Sequence, residues 1–411
     1  MIYNALLVLF AICMGPKIFW QMLRKGKKVP SLKDRLGFYP PIASACEAMR
    51  IWIHAVSLGE IKATQPLVNH LLKSDPRIHL LITTSTTTGY EEACRAFSGK
   101  ALIRYFPLDF SWTMRRWVRS FCPNQLIFVE GDIWPNLLLE AKRLKTKTAL
   151  VSGKISEKSA KRFSHFPAFS RRLFDSLDVL CVQNEEYRDR FAMFVNRPIH
   201  ISGNLKLDIE PLTIDPAAIR RRFSLSDTQK AITISCTHAP EEKELLTLLR
   251  PLWERIPDLV IFLVPRHPER FNTVASLLHQ MKIPFCRWNE SRVQEPLVLV
   301  DAMGQLPICY CVSSAAIVAG SFSSRKGGHN ILEPCFYGCP VLFGSHMHSQ
   351  KELAKIALQY GVGQQVSEDL LVSTLLEWFA SLAPLRANTL RLIEKNRGST
   401  VRTVQLLQNI L

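Results

Sequence analysis

After Pro30 the chain alternates short, β-rich apolar runs with amphipathic stretches of helical length, and this alternation limits the fold more than any other feature. Residues 51–56, 80–84, 102–106, 126–130, 149–152, 179–183 and 199–202 read as strands. Helical patterns lie between most of them, so the strands are expected to run parallel, joined by crossover helices, in a doubly wound α/β sheet. From Pro211 to Asp227 the sequence turns polar and basic, and a second series follows at residues 231–235, 259–264, 297–300, 316–319 and 340–343. With 411 residues and 47% hydrophobic content, the chain can fill two cores. The expected division is an amino-terminal segment 1–24, a Rossmann-like domain 25–210, a linker 211–228, a second Rossmann-like domain 229–384 and a helical, basic tail 385–411. Two such sheets facing each other gather the carboxyl ends of their strands around a central cleft, where open α/β sheets bind ligands. Function is therefore expected in the strand-to-helix turns.

Three turns of the first series carry chemistry. His54-Ala55-Val56-Ser57-Leu58-Gly59-Glu60 ends a strand and opens a helix. Glu60 can be a reactive carboxylate at the cleft mouth or a counter-charge to the helix dipole, worth about 0.3–1 kcal/mol, and spacing does not choose between them. Glu130-Gly131-Asp132-Ile133-Trp134-Pro135-Asn136 offers two more carboxylates, able to tune a neighbour's pKa or simply to cap the helix that Pro135 starts. Ser202-Gly203-Asn204-Leu205-Lys206 closes the series, and Lys206 either meets a leaving phosphate or is a solvated lysine.

In the second series, Ser235-Cys236-Thr237-His238 ends a strand before an acidic helix start at Glu241-Glu242. Pro265-Arg266-His267-Pro268-Glu269-Arg270 ends the next, and a guanidinium fork at Arg266 suits phosphate or carboxylate. Gly320-Ser321-Phe322 followed by Gly327-Gly328-His329-Asn330-Ile331-Leu332-Glu333-Pro334 is the most specific pattern. Glycines before a helix bare backbone N–H groups that hold phosphate without metal, and Glu333, one turn in, could accept from ribose hydroxyls. The alternative is a packing turn. There is no Walker A or GxGxxG pattern, which counts against kinases and dehydrogenases.

Composition narrows the partners. The 52 Lys+Arg against 35 Asp+Glu give a net charge of +17, attracting anions of several kinds, yet no basic stripe with stacking aromatics marks a nucleic-acid face. The eleven cysteines and eleven histidines show no zinc spacing, and no Asp-x-Asp is present, so no metal is expected. Residues 1–16 carry no charged side chain, and Ile18-Phe19-Trp20 and then Arg24, Lys25, Lys27, Lys28, Lys33 and Arg35 follow. About 16 helical residues reach about 24 Å, marginal for a roughly 30 Å hydrocarbon core. A membrane anchor with the remaining chain on the cytoplasmic side is the reading favoured over a buried core helix.

The turns together, with TTSTTTG from Thr83, YFPLD from Tyr105, IWPN from Ile133, SEKSA from Ser156, SGNLKLD from Ser202, PRHPERF from Pro265 and GGHNILEP from Gly327, closely resemble the Kdo transferases. That family transfers Kdo, an acidic eight-carbon sugar, from CMP-Kdo to a lipid A precursor in the lipopolysaccharide inner core. The resemblance covers nearly the whole chain. It implies an inner-membrane glycosyltransferase of the GT-B type, inverting and metal-independent, with no cofactor, with Glu60 as the catalytic base and Glu130 and Lys206 stabilising the transition state. It also implies CMP contacts from Pro265 and Arg266, from Met303, Gly304, Gln305 and Leu306, and from Asn330, Ile331, Leu332 and Glu333. The chain departs from the family pattern at Asp132, where a Glu is expected, at Ser152 and Lys154, where Asn and Arg are expected, and at Gln305, where an acid is expected. Two other classes fit parts of the pattern: another sugar-nucleotide transferase or epimerase on the same two lobes, and a non-catalytic binder of lipid surfaces.

Overall fold

The structure is a computed structural model, and it describes residues 3–5, 7–9, 13, 36–38, 48–290 and 295–409. The chain forms two compact units, residues 1–210 with 396–411, and residues 211–395. Each is built on one fully parallel seven-stranded sheet.

In the first unit the strands are β1 (Arg50–His54), β2 (His79–Thr84), β3 (Leu102–Tyr105), β4 (Gln125–Val129), β5 (Lys147–Gly153), β6 (Val179–Val182) and β7 (His200–Ile201). Their spatial order is β3-β2-β1-β4-β5-β6-β7, with Ile53 level with Ile82 on one side and Ile127 on the other. Strands covered by helices on both faces need apolar side chains at nearly every position, and β4 is buried throughout, with Leu126 to Val129 apolar and only Gln125 polar. Alternation across the pleat sends Trp52 and Phe128 into one core with Phe174 and Phe191, and Ile51, Ile53 and Ile127 into the opposite core with Ile61 and Leu67. The helix Leu58–Ser74 buries Ile61, Thr64, Leu67, Val68 and Leu71, one face at helical spacing. Thr86, Ser156 and Asn184 cap the helices after β2, β5 and β6 by accepting backbone N–H bonds from Gly89, Ser159 and Tyr187.

The second unit contains β8 (Ala231–Thr237), β9 (Val260–Pro265), β10 (Cys286–Arg287), β11 (Leu297–Leu299), β12 (Ala315–Val318), β13 (Val341–Phe343) and β14 (Gly363–Gln365), in the order β10-β11-β9-β8-β12-β13-β14. Every strand expected from the sequence is present, and β10 and β14, at the two edges, are additional.

The division differs from expectation at two places. Residues 211–228 are no linker: they carry the helix Pro216–Arg222 and belong to the second unit, because Phe223 is fully buried against Phe262 and Trp288. The tail 385–411 is split. Its last helix, Ser399–Gln408, returns to the first unit, where Val404 and Leu407 enter the core and the Leu407 carbonyl accepts from Gln125 at 3.0 Å. Asp208 holds that helix start by accepting from the N–H groups of Gly398 (2.8 Å) and Thr400. Gly203, at φ +97°, lets the chain pass so close that a Cβ there would lie 2.3 Å from Ser399 Oγ.

The expected anchor, residues 1–24, lies mostly outside the described residues; positions 3–5, 7–9 and 13 are helical. Tyr3 donates its hydroxyl to Asp109 (3.1 Å) and Asn4 its amide to Ser111 (3.2 Å), tying this stretch to the first unit. Among the described residues, no single helix is long and apolar enough to cross a membrane.

Candidate active site

The first sheet winds in opposite directions from β1 and β4, and chemistry gathers at the carboxyl ends beside this switch point. Glu60 sits in the first turn of the helix after β1, Glu130 directly follows β4, Lys154 follows β5 and Lys206 follows β7. Glu130 is 3% exposed and lies between two ammonium groups, Lys206 Nζ at 2.5 Å from Oε1 and Lys154 Nζ on Oε2. Its backbone is left-handed, φ 65°, as is that of Ser152 at φ 52°, conformations that cost non-glycine residues of order 1 kcal/mol or more and concentrate where function over-determines them. Gly131 makes room for this turn: a Cβ there would stand 2.9 Å from the Lys154 carbonyl.

Glu60 is also buried, 7% exposed, and accepts the Val56 N–H at 2.7 Å and the Ser57 hydroxyl at 2.9 Å. Burial first, then the field of Glu130 and to a lesser degree Asp132, raises its pKa to about 7 against those two hydrogen bonds. Burial acts the same way on Glu130, but Lys206 and Lys154 outweigh it and hold that carboxyl below the usual range. Two carboxylates beside one switch point are thus driven apart, one permanently ionised and one poised to exchange a proton near neutrality, the usual mark of a general base and its electrostatic partner.

A ring of buried polar contacts fixes these turns. The Trp134 indole N–H donates to His54 Nε2 at 2.9 Å, which leaves the imidazole proton on Nδ1, facing Thr83 Oγ1 at 2.9 Å. Trp52 donates to the same hydroxyl at 2.8 Å. Burial lowers the His54 pKa to about 3, so this ring is a neutral strut and not a titrating group. Asp109 of the YFPLD segment accepts the N–H groups of Asn136 and Leu137, both at 2.9 Å, and so caps the helix Pro135–Arg143 from a separate segment.

In the second unit, β11, β9, β8 and β12 end side by side. Pro265 is the last residue of β9, and Arg266, exposed, is held by its N–H to the Thr237 carbonyl at 3.1 Å. Met303 and Gly304 (φ 80°) follow β11, Gln305 stands at the N-cap of the helix Leu306–Val312, and Leu306 begins it. That helix packs against the 3₁₀ turn Pro334–Tyr337, which brings Leu306 beside the segment following Asn330 to Glu333. Asn330 is exposed and accepts the Leu332 N–H at 3.1 Å, whereas the Ile331 and Leu332 side chains are in the core and leave only their backbone for a ligand.

Residues 30–209 match the family model for 3-deoxy-D-manno-octulosonic-acid transferase (kdotransferase). The chain is 34% identical over 379 residues to the 3-deoxy-D-manno-octulosonic acid transferase of Chlamydia muridarum, covering 90% of this chain and 87% of that protein. The chain belongs to the Kdo transferase family. The relative from Chlamydia trachomatis serovar A is 32% identical over 97% of this chain and 92% of its own length. Among solved structures, the UDP-GlcNAc 2-epimerase of Neisseria meningitidis bound to UDP-GlcNAc aligns with a TM-score of 0.60 at 14% identity, covering 88% of this chain and all of that one. At that identity the likeness concerns the fold alone, so sequence and not architecture separates this Kdo transferase family member from an epimerase.

The geometry revises four readings of the sequence. Glycine N–H groups after β12 are not all open to phosphate: Glu241 receives Gly320 N–H on both oxygens at 2.8 Å and Phe322 N–H at 3.3 Å. Gly327 and Gly328 serve packing as well, since a Cβ would lie 2.4 Å from His348 Nε2 or Met347 Sδ. The segment after them is a four-residue 3₁₀ turn with Glu333 at its N-cap, not an α-helix with Glu333 one turn in, because Pro334 and Gly338 bound it tightly. Lys206 is committed to Glu130 and does not stand alone as a phosphate ligand. A counter-charge role at the helix start would keep the Glu60 carboxyl ionised; burial and Glu130 outweigh that position and raise its pKa instead. Lys154, named in the sequence only as a departure from the family pattern, is a further site residue; its place directly after β5, level with the other turns, is the signal that would have assigned it to the site.

Proposed function

We propose that this chain transfers Kdo from CMP-Kdo to a lipid A precursor in lipopolysaccharide core biosynthesis, with inversion at the anomeric carbon and without a metal. The observation that carries the reading is the pair of buried carboxylates: Glu60, with a pKa of about 7, beside Glu130, clamped by Lys154 and Lys206. Glu60 takes the proton from the attacking acceptor hydroxyl, a contribution of about 10²–10⁴ in rate. Glu130 and its lysines form a preorganised field in which positive charge developing on the sugar meets a carboxylate already ionised. Cytidine monophosphate leaves as a phosphate and needs no acid. Pro265 and Arg266, the 303–306 segment and the backbone of residues 330–333 hold it on the second unit, with Arg266 directed to phosphate and Glu333 to the ribose. Asp132, Lys154, Ser152 and Gln305 adjust this site relative to the family pattern and leave Glu60 in place.

The apolar run before Pro16, with cations following it, supports an anchor in the inner membrane that leaves the catalytic units on the cytoplasmic side, next to a lipid acceptor. Incubation of the full chain with CMP-Kdo and a lipid A precursor, read by mass spectrometry, tests the proposal: the product gains the mass of Kdo. Turnover of a UDP-sugar with none of CMP-Kdo would transfer the chain to the epimerase or alternative-donor class.

A further inference from the structure

The second unit contains a cluster of histidines that the mechanism above does not use. His238, directly after β8, and His329, in the turn after β12, meet at the second sheet's own switch point with Nε2 to Nε2 at 2.9 Å and rings stacked 5.2 Å apart. His267 adds a third ring 5.3 Å from His238. His329 packs against Gly320, whose φ of +74° and missing Cβ make the room: a Cβ would be 2.7 Å from the imidazole. The pair is therefore built in, and it adjoins Arg266 and Asn330, both assigned to the donor.

A hydrogen bond between two Nε2 atoms needs one proton there and one bare lone pair, so the resting pair is two neutral rings of opposite tautomer. It can accept one more proton, at the bare Nδ1 of the donating ring, which becomes an imidazolium donating to a neutral imidazole, a stronger bond than before. Without ligand, this is opposed. Burial is the first cause, and the fields of Lys326, His267 and Arg270 on His238, and of Arg266, Lys326 and His267 on His329, add to it, lowering the pair to about 3 and about 4. The acids packed nearby are engaged elsewhere: Glu242 holds Arg270, Glu241 holds the Gly320 and Phe322 N–H groups, and Glu269 faces His267 at 3.9 Å. From the segment after β13, His348 packs against Gly327. The cluster is thus a pocket of excess positive charge around two uncharged rings.

We infer that the His238–His329 pair takes up one proton from solvent when the second unit binds its donor, so that a nucleotide sugar bearing both a phosphodiester and a carboxylate is held by a charge absent from the empty site. This rests on the donor reading above and extends it. A dianion placed against Arg266 and Lys326 reverses the field that keeps the rings neutral, and the proton follows. Donor binding then weakens as pH rises, by up to about tenfold per pH unit while the bound pair is protonated and the empty pair is not.

The test is calorimetric titration of the full chain with CMP-Kdo, without acceptor, at pH 6 in buffers of contrasting ionisation enthalpy. The phosphodiester and carboxylate of CMP-Kdo are fully ionised at that pH and its cytosine N3 is a further titratable group, so the uptake that belongs to the pair is the part lost when either histidine is replaced. Wild type should take up protons in a fraction approaching one per donor bound, and His238→Gln and His329→Gln should each abolish most of that uptake while retaining measurable binding. Binding of CMP-Kdo with no proton uptake, or uptake unchanged in both variants, overturns this inference and leaves the donor assignment standing. Absence of CMP-Kdo binding by wild type overturns both.

Discussion

Replacing Glu60 with Gln should stabilise the protein in alkaline solution while disabling it. The carboxyl has a pKa of about 7 in the folded chain against 4.5 for the unperturbed group. An acid whose pKa is raised by folding binds its proton more tightly in the native state, so its contribution to stability is present below pH 4.5 and is lost as pH rises to 7. At 1.36 kcal/mol per pH unit the full loss is about 3 kcal/mol, of which roughly 2 kcal/mol falls between pH 5 and pH 8. Gln keeps the shape and can still accept the Val56 N–H, but it cannot ionise. The difference in melting temperature between Glu60→Gln and wild type should therefore widen in favour of the variant by about 4–8 °C from pH 5 to pH 8, at roughly 2–4 °C per kcal/mol for a unit of this size. Asp109, also raised to about 7 by burial, titrates in both proteins and cancels from the difference. A difference that stays flat with pH, or moves in favour of wild type, would refute the claim that Glu60 is a buried base with a raised pKa.

If Glu60 is the base, kcat/KM for the lipid acceptor at saturating CMP-Kdo, where the pH dependence of donor binding drops out, should rise through an apparent pKa near 7 and level off above it, and a profile flat from pH 5 to 8 would exclude Glu60 as the titrating base. Lys206→Met should destabilise more than Lys154→Met in denaturant titrations, because the Lys206 side chain is 24% exposed and the Lys154 side chain 45%. The Lys206 loss should approach but not exceed the roughly 3–5 kcal/mol of a fully stranded buried charge, since Lys154 still faces Glu130. Gly203→Ala should loosen the docking of the helix Ser399–Gln408, by the close approach to Ser399 and a φ of +97°, and hydrogen exchange there should rise; unchanged protection would show that the approach relaxes at no cost.

Strands such as β4 and β8 were legible because a parallel strand covered on both faces must be apolar at nearly every position. β10 and β14 were not, being edge pieces of two and three residues in which Arg287, Gln364 and Gln365 hide any pattern. Residues 211–228 read as a linker because Arg220, Arg221 and Arg222 dominate the composition, while a single buried ring, Phe223, decides where the segment belongs. Glu60 and Glu130 could be placed at strand ends, but nothing local in the sequence states that Lys154 and Lys206 would converge on one carboxylate. Nor does it state that Glu241 would reach the N–H of Gly320, 79 residues away. Those pairings come from strand order, and β1 beside β4 and β8 beside β12 are crossovers that no short window contains.

The central claim is that Glu60 removes the acceptor proton, and it is tested most directly by the rate of Kdo transfer from CMP-Kdo to a lipid A precursor in purified Glu60→Gln and wild-type protein. The account predicts a kcat lowered by about 10²–10⁴ with the KM for CMP-Kdo little changed, because it assigns the donor contacts to residues of the second unit. Transfer by the folded variant near the wild-type rate would contradict it.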